Sequence, residues 1–318
     1  ELFLELYSAF CEEELPGVST VEGILRSYVN DYCQDMMEKR IREGVDPELD
    51  FAADIIMNSD LSDLRYLYKY GEYVSENEIG VAEFLNSLSQ DEIDKMASTY
   101  TEGYRIGFIT GRKDITRKKT VNIRYSLGFE RMVKAAILQF REMGLKPVIY
   151  RYATHAVNKR GSVRVGYTGG VANPQYDYDH RQDSALFLDG DFVQRKLRAM
   201  QTSYEKYKDL ANVHGGPACI DTFGEAPFSP VSKPEVYALS EAQQKLQTEL
   251  NNESGQIVNR YIKGDERSFT IIAYPVPEIG GNYAEIFREI VKINTLDYHL
   301  YQKIQQTIIN TLDTCEWV

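Results

Sequence analysis

An apolar run followed closely by two prolines constrains the fold of this chain more than any other feature. Residues 268–273 are mostly apolar or β-branched and lie between charged and proline-containing segments, a pattern typical of a short buried strand. Pro275 and Pro277 should end that strand, because proline cannot donate to a ladder and restricts the residue before it. Gly280 and Gly281 then provide a turn. We expect the chain to reverse direction here.

The residues after this turn have the spacing of an amphipathic helix. Apolar side chains recur every three or four residues, at Tyr283, Ile286, Phe287, Ile290, Val291 and Ile293. The helix should pack back on the strand, so residues 267–297 are expected to form a rigid corner of the scaffold. No residue pattern within that corner indicates chemistry.

A strand–helix–strand pattern begins at residue 120. Residues 120–125 predict a strand, residues 128–143 a strongly periodic helix that ends at Gly144, and residues 146–152 a second strand. Such a βαβ unit joins parallel strands by a right-handed crossover. The fold class predicted for the chain is therefore α/β, with a mostly helical N-terminal region followed by a small, mostly parallel sheet flanked by helices.

The remaining sequence divides into a helical block and further α/β elements. Residues 1–115 have helical periodicity, with Ser89 and Glu92 typical of a helix N-terminus, and residues 116–318 form the predicted α/β domain. In that domain we predict a turn at Gly215-Gly216-Pro217, a third strand over 218–223 and two later helices, over 240–260 and 298–312. The tyrosines of the helical block are interpreted as packing residues (Tyr66, Tyr68, Tyr70 and Tyr73).

Charge and cysteine usage narrow the classes of partner. The chain of 318 residues has 36 basic and 48 acidic side chains, a net charge of −12, which argues against nucleic acid and anionic membranes as partners. The basic cluster 112–119 is short and interrupted, and we interpret it as a solvated connector.

The four cysteines (Cys11, Cys33, Cys219 and Cys315) form no CxxC pair. With no signal-peptide pattern and no apolar run near the about 20 residues that span a bilayer, we expect a piece of a cytoplasmic protein.

Candidate sites for ligands are weak in this sequence. The turn 126–129 contains one glycine, and the glycine-rich segment 166–170 follows no clear strand–helix unit, so nucleotide binding is not favoured. The segment 177–183 alternates carboxylates with His180 but lacks the glycine and distal glutamate of a calcium loop. We interpret it as a polar loop in which Asp179 or Asp183 caps the next helix.

Histidines and strand-end carboxylates complete the candidates. His155, His180, His214 and His299 are scattered and have no recognisable nucleophile nearby, so surface or capping roles are favoured. Asp221 and Glu225 flank Thr222-Phe223-Gly224 at the end of the predicted third strand, where open α/β sheets place their sites, but position alone supports them. No catalytic, cofactor-binding or metal-binding residue is assigned in this chain.

Two stretches resemble one known family. Phe269-Thr270-Ile271-Ile272-Ala273-Tyr274-Pro275 with Pro277, followed by Ile286-Phe287, Val291 and Asp297, resembles the end of the N-terminal domain of thermophilic-aminopeptidase family metallopeptidases, of the aminopeptidase T and aminopeptidase S kind. The βαβ unit that includes Gly144-Leu145-Lys146-Pro147-Val148 is similar to the opening of that domain. The resemblance covers residues 120–318 and is poor over 158–234.

The resemblance implies a metal-dependent aminopeptidase whose two divalent metal ions are held in a C-terminal domain. The metal ligands of that family have no match in this sequence, so this chain is expected to be inactive alone, serving as scaffold, access-cavity wall and dimer contact. The implied partners are a peptide substrate, the C-terminal catalytic domain and a second copy. A free-standing Rossmann-like binding module without catalysis is the alternative, and an enzyme with a deep pocket at Asp221 and Glu225 is a second one.

Overall fold

The computed structural model describes residues 1–151, 172–295 and 298–317, and these contain a four-stranded sheet. The strands are β1 (Thr120–Tyr125), β2 (Lys146–Val148), β3 (His214–Phe223) and β4 (Thr270–Pro275). Their order is β2-β1-β3-β4, and all pairings are parallel. The predicted α/β class, with helices before and around a small parallel sheet, is confirmed.

Helices form most of the remaining described chain. The N-terminal region contains α1 (Leu2–Phe10), α2 (Val18–Asp31), α3 (Cys33–Val45), α4 (Phe51–Asn58), α5 (Glu76–Ser87) and α6 (Gln90–Thr110). The later part contains α7 (Glu130–Glu142), α8 (Pro174–Asp179), α9 (Gly190–Lys206), α10 (Lys208–Asn212), α11 (Glu241–Tyr261), α12 (Tyr283–Asn294) and α13 (Tyr298–Leu312). Short 3-10 helices lie at Leu64–Tyr70, Ile115–Arg117, Asp183–Leu186, Gly264–Glu266 and Pro277–Ile279. The predicted cap of α6 is present, since Ser89 and Glu92 form a capping box.

The predicted βαβ unit is β1, α7 and β2. Gly144 follows α7 with φ +80°, a conformation that favours glycine at a helix end. The second strand is shorter than predicted and ends at Val148, because the chain then turns to bring Arg151 onto the carbonyl of Tyr125. The N–H of Lys146 donates to the carbonyl of Lys119 (2.8 Å), so Pro147, the next residue, faces the outer edge of the sheet.

One face of the sheet and the helices packed on it share the main hydrophobic core. Alternate residues of three strands enter this core: Val121, Ile123 and Tyr125 of β1, Ala218 and Ile220 of β3, and Ile272 and Tyr274 of β4. They contact buried side chains of α4, α5, α6, α7 and α12. The core draws on both sides of residue 115, so the division of the chain at that point stays a prediction.

A second core lies between helices outside the sheet. It contains Cys33, Met37, Ile41 and Val45 of α3 together with residues of α9, α10 and α11, and the rings of Tyr204 and Tyr261 stack at 5.2 Å. Helix α3 also contacts β1 and β2, which links this bundle to the sheet. Helix α13 has the predicted bounds but exposes its apolar residues Leu300, Ile304, Ile308 and Leu312.

The glycine-rich segment before the third strand is not the predicted turn. Gly215, Gly216 and Pro217 belong to β3, which begins at His214. The register shifts there, since Thr120 lies opposite His214 and Asn122 opposite Pro217, so β3 has a bulge against β1. Gly216 has φ +106°, and a Cβ on it would lie 2.0 Å from the carbonyl oxygen of Ser268. The glycines thus permit close packing inside a strand, where the sequence pattern predicted a break.

The predicted strand, elbow and helix are present as β4, the turn at Pro277 and α12, but the prediction that Pro275 ends the strand is wrong. β4 continues through Pro275, which pairs with Phe223 of β3. The Tyr274 ring stacks on Phe287 at 5.0 Å with a 10° angle between the planes, and Phe84 of α5 packs on Phe287 at 4.4 Å. The Pro277 ring lies so close to α5 that a Cβ on Gly80 would be 2.6 Å from its Cγ. The corner therefore joins the last strand to the N-terminal helical region.

Replacing Phe287 by alanine tests the corner. Because Phe287 is fully buried in the aromatic stack, its truncation should lower the free energy of unfolding by about 3–5 kcal/mol. Ile293→Ala on the same helix is the control, since Ile293 is 58% exposed and its truncation should change stability by less than about 0.5 kcal/mol. Urea unfolding of both variants measures the difference, and equal stabilities would contradict this account of the corner.

Candidate functional site

The strand order places a topological switch point between β1 and β3. The crossover from β1 goes to β2 on one side, and β3 and β4 lie on the other side. Open parallel sheets bind ligands in the crevice outside the carboxyl ends of the two strands at such a point. The residues to consider are therefore the turn after β1 and the segment after β3.

The turn after β1 is filled by a side chain of the protein itself. The N–H of Gly128 donates to Oε2 of Glu130 (2.8 Å), so a carboxylate accepts a hydrogen bond at the start of α7, where nucleotide-binding parallel sheets hold phosphate. Gly128 has φ +100°, and a Cβ on it would lie 2.5 Å from the carbonyl oxygen of Glu78 in α5. Helix α5 thus covers the turn closely. The anion position at this turn is already occupied by Glu130.

Glu130 belongs to a buried polar cluster that joins the sheet to the helical N-terminal region. Tyr66 donates its hydroxyl to Oε2 of Glu130 (2.8 Å), and Tyr125 donates to the hydroxyl of Tyr70 (3.2 Å). The tyrosines interpreted as packing residues divide accordingly, with Tyr66 and Tyr70 buried and Tyr68 and Tyr73 exposed.

A buried ion pair completes this cluster. Arg151 donates from Nε and Nη2 to the two carboxylate oxygens of Glu72, at 2.8 and 2.7 Å, and both side chains are 1% exposed. Arg151 also donates to the carbonyl of Tyr125 and lies over the Tyr125 ring, 4.9 Å from its centre. A bidentate arginine in this position fixes the orientation of β1 against the segment after α4.

Burial sets the ionisation of Glu130. Removal from water raises the pKa of this carboxyl to about 7, although hydrogen bonds from Tyr66 and from backbone N–H groups, and the charge of Arg151, act to lower it. Its second oxygen, Oε1, is buried and has no hydrogen-bond partner. Glu130 therefore changes its charge near neutral pH inside the protein.

The sequence analysis did not identify this cluster. Glu130 falls on the same helical stripe as Val133, Ile137 and Phe140, all of which are buried. A carboxylate on an apolar stripe was a usable signal, since a buried charge requires partners. Its partners Tyr66 and Arg151 lie on other elements and have no local pattern that marks them.

The carboxylates at the end of β3 are Asp221, within the strand, and Glu225, two residues after it. Oδ1 of Asp221 is buried without a hydrogen-bond partner, and burial raises the pKa of this carboxyl. Glu225 accepts a hydrogen bond from the Thr222 hydroxyl (3.0 Å). Two cavities of about 350 and 750 Å³ lie elsewhere, on α3 with Tyr207 and on α9 with Tyr261. The hypothesis of a deep pocket at Asp221 and Glu225 stays a prediction.

His214 is not the surface or capping histidine that the sequence predicted. It is buried at the start of β3, with Nδ1 3.5 Å from the Thr120 hydroxyl oxygen. Burial, followed by the nearby charges of Arg124, Arg267 and Lys118, lowers the pKa of His214 to about 3. The ring is therefore neutral at physiological pH. His155 lies outside the described residues.

The acidic segment 177–183 is paired with protein groups. Asp179 contacts Lys233 (2.5 Å), and His180 contacts Asp183 (2.9 Å). The prediction that Asp179 or Asp183 caps the next long helix is wrong, because Asp189 caps α9 by accepting from the N–H of Phe192. Within residues 1–151, 172–295 and 298–317, no group of three or more His, Cys, Asp or Glu side chains could hold a metal ion.

The other sequence candidates are placed as follows. Arg112, Arg117 and Lys119 are exposed, as a solvated connector requires, but Lys118 is buried and pairs with Glu266 at 3.1 Å. All four cysteines are free thiols, Cys33 and Cys219 in buried positions. The segment 166–170 and Asp297 lie outside the described residues. No helix in the described part of the chain is long and apolar enough to cross a membrane.

Comparisons with known protein families, curated proteins and solved structures found no match to this chain.

The pKa of Glu130 predicts a pH-dependent stability. Its folded pKa of about 7 lies above the ordinary 4.5, so its contribution is fully present below pH 4.5 and is lost as pH rises through 7. At about 1.4 kcal/mol per pKa unit, this loss is roughly 3 kcal/mol. Glu130→Gln should lack that dependence, while Glu142→Gln, exposed on the same helix, should keep it. Urea unfolding from pH 4.5 to 8 measures both; parallel curves for Glu130→Gln and the unaltered chain would contradict the assignment.

Neutralising Glu72 tests the buried ion pair. Glu72→Gln leaves the charge of Arg151 buried without its counter-ion, which should lower the free energy of unfolding by about 3–5 kcal/mol. Glu48→Gln is the matched control, because Glu48 pairs with Lys146 at 3.0 Å on the surface and should change stability by less than about 1 kcal/mol. Thermal and urea unfolding of the two variants supply the comparison. Similar effects at both positions would show that burial of the Arg151 pair is unimportant.

Proposed function

We propose that this chain is the non-catalytic N-terminal domain of a metal-dependent aminopeptidase, an enzyme that removes N-terminal amino acids from peptides. One observation carries the proposal. The two stretches that resemble this family, the βαβ unit at residues 120–148 and the strand, elbow and helix at residues 269–294, lie far apart in sequence but fold into a single parallel sheet. They are its two flanks, on either side of β3.

The proposed role of this chain is structural. The corner formed by β4, the proline elbow and α12 is held by the Tyr274–Phe287 stack, and the backbone N–H of Glu278 donates to Asn77 at 3.1 Å. Such a rigid surface is suited to form a wall of a substrate cavity and a contact in a homodimer. The two divalent metal ions, which would polarise the peptide carbonyl and activate a water, belong in this proposal to a C-terminal catalytic domain. The proposal places the protein in the cytoplasm, without nucleic acid or membrane partners.

A free-standing binding module remains the second candidate. It is consistent with the β1–α7 turn, where the Glu130 carboxylate takes the position that an anionic cofactor has in nucleotide-binding parallel sheets. The two proposals differ in the coding sequence after Val318. A reading frame that continues into a domain rich in Glu, His and Asp supports the aminopeptidase, whereas an early stop codon supports the module.

Peptidase assays test the aminopeptidase proposal. The 318-residue chain, incubated with peptides and Zn²⁺, Co²⁺ or Mn²⁺, should release no N-terminal amino acid. The same chain extended by the downstream coding region should release it, and a chelator should abolish that activity because the metal ions are required. Metal-dependent release by the short chain would overturn the non-catalytic role, and an inactive extended chain would overturn the aminopeptidase itself.

A further inference from the structure

The sheet has an edge at β4 whose main chain is open. The N–H groups of Ser268 and Val276 donate to the carbonyls of Gly215 and Phe223 in β3, both at 2.9 Å. In a strand, successive residues direct their N–H and C=O groups to opposite sides. Even-numbered residues of β4 therefore face β3, and the odd-numbered Phe269 and Ile271 face outward.

On either side of these two residues, side chains of the same molecule donate hydrogen bonds to the outward carbonyls of the edge. Lys113 donates to the carbonyl of Arg267 (2.5 Å), and Asn294 donates to the carbonyl of Ala273 (3.2 Å). Pro275, the next outward residue, has no N–H to offer. Among the described residues, β4 pairs only with β3. The open stretch is therefore short and runs from Phe269 to Ile271, and α6 borders it at Phe269, where a Cβ on Gly107 would lie 3.7 Å from the carbonyl oxygen.

The side chains of this stretch are apolar and exposed. Phe269 is 67% exposed and Ile271 59%, whereas their neighbours Ile272 and Tyr274 are buried in the main core. An uncovered apolar edge strand is a template for pairing with another strand, and a charge or a proline prevents this where it is present, as Pro275 does at the end of β4. Residues 268–273 carry no charge, although the chain as a whole has a net charge of −12. Two copies can meet here without repulsion between charges.

We propose that β4 pairs with β4 of a second copy, in antiparallel orientation about a two-fold axis at Thr270. This register places Phe269 opposite Ile271 of the partner copy, and Ile271 opposite the partner copy's Phe269. Outward-facing residues that lie opposite each other exchange both N–H···O bonds, so the pairing adds about four hydrogen bonds. It also forms two aromatic–β-branched cross-strand pairs, a favourable combination. The register leaves the contacts of Lys113 and Asn294 in place.

The short contact sets the strength of this interaction. An open stretch of a few residues buries less surface than the roughly 800 Å² per partner of a standard interface. We therefore expect dissociation in the micromolar range. This inference rests on the homodimer in the proposed function and adds the surface that forms it.

Charge placed on the open edge tests the pairing. Ile271→Lys should raise the dissociation constant by about tenfold or more, because a lysine on an edge strand opposes pairing. Leu138→Lys is the matched control, since Leu138 is 48% exposed on α7, which follows the distant strand β1, and should not change the constant. Sedimentation equilibrium up to about 200 µM protein covers the expected range. Circular dichroism confirms that both variants are folded.

Cross-linking tests the register. Facing Thr270 residues form a non-hydrogen-bonded pair with Cα atoms about 4.5 Å apart, a separation that a disulfide accepts. Thr270→Cys, in a chain whose exposed Cys11 and Cys315 are replaced by serine, should form a covalent dimer under mild oxidation. Leu138→Cys in the same background should not.

The remaining outcomes overturn the inference in distinguishable ways. A dimer that Ile271→Lys leaves intact and Thr270→Cys does not cross-link would place the interface elsewhere, and the proposed homodimer would stand. A chain that is monomeric at every concentration would overturn both. A monomer that binds an extended apolar peptide, with binding lost in Ile271→Lys, would assign the edge to a peptide instead of a second copy.

Discussion

The buried contacts under the carboxyl end of β1 hold the two halves of this fold together. Arg151 neutralises Glu72 and anchors the Tyr125 carbonyl, while Tyr66 reaches across to Glu130. The main core alone would join the helical region to the sheet by non-directional packing. Charged and polar groups that require specific partners favour one relative placement of the halves.

The same cluster decides what the sheet can bind. In open parallel sheets the turn after the first strand binds anionic ligands, because its backbone N–H groups attract an anion. Glu130 satisfies the N–H of Gly128 from within, and α5 closes the space above it. A carboxylate of the chain itself thus takes the position at which open parallel sheets bind an anion. Both proposed functions, a structural domain and a binding module, are consistent with that arrangement.

Elements that depend on local pattern were predictable from the sequence, and those that depend on distant partners were not. The predicted bounds of β1 and α13 match the structure, and α11 begins at Glu241, within one residue of the predicted start. The prediction of a turn at Gly215-Gly216-Pro217 was wrong because the glycines there allow the backbone to pack closely against Ser268, which lies just before β4. His214 is buried for the same reason, since its neighbours come from β1. The sequence shows that Glu130 is a carboxylate on an apolar stripe of its helix. That Tyr66 is its partner is fixed only by the tertiary fold.

The two edges of the sheet differ in a way that limits growth. At β2 the outward residue is Pro147, and the strand spans only Lys146–Val148. Pro147 offers no N–H to a further strand on that side. Among residues 1–151, 172–295 and 298–317, an assembly that grows from sheets therefore depends on β4 as the one such edge. Fibres require two adhesive ends per unit, so polymerisation by strand addition ends at a closed pair, and the aggregation hazard of an apolar edge is self-limiting.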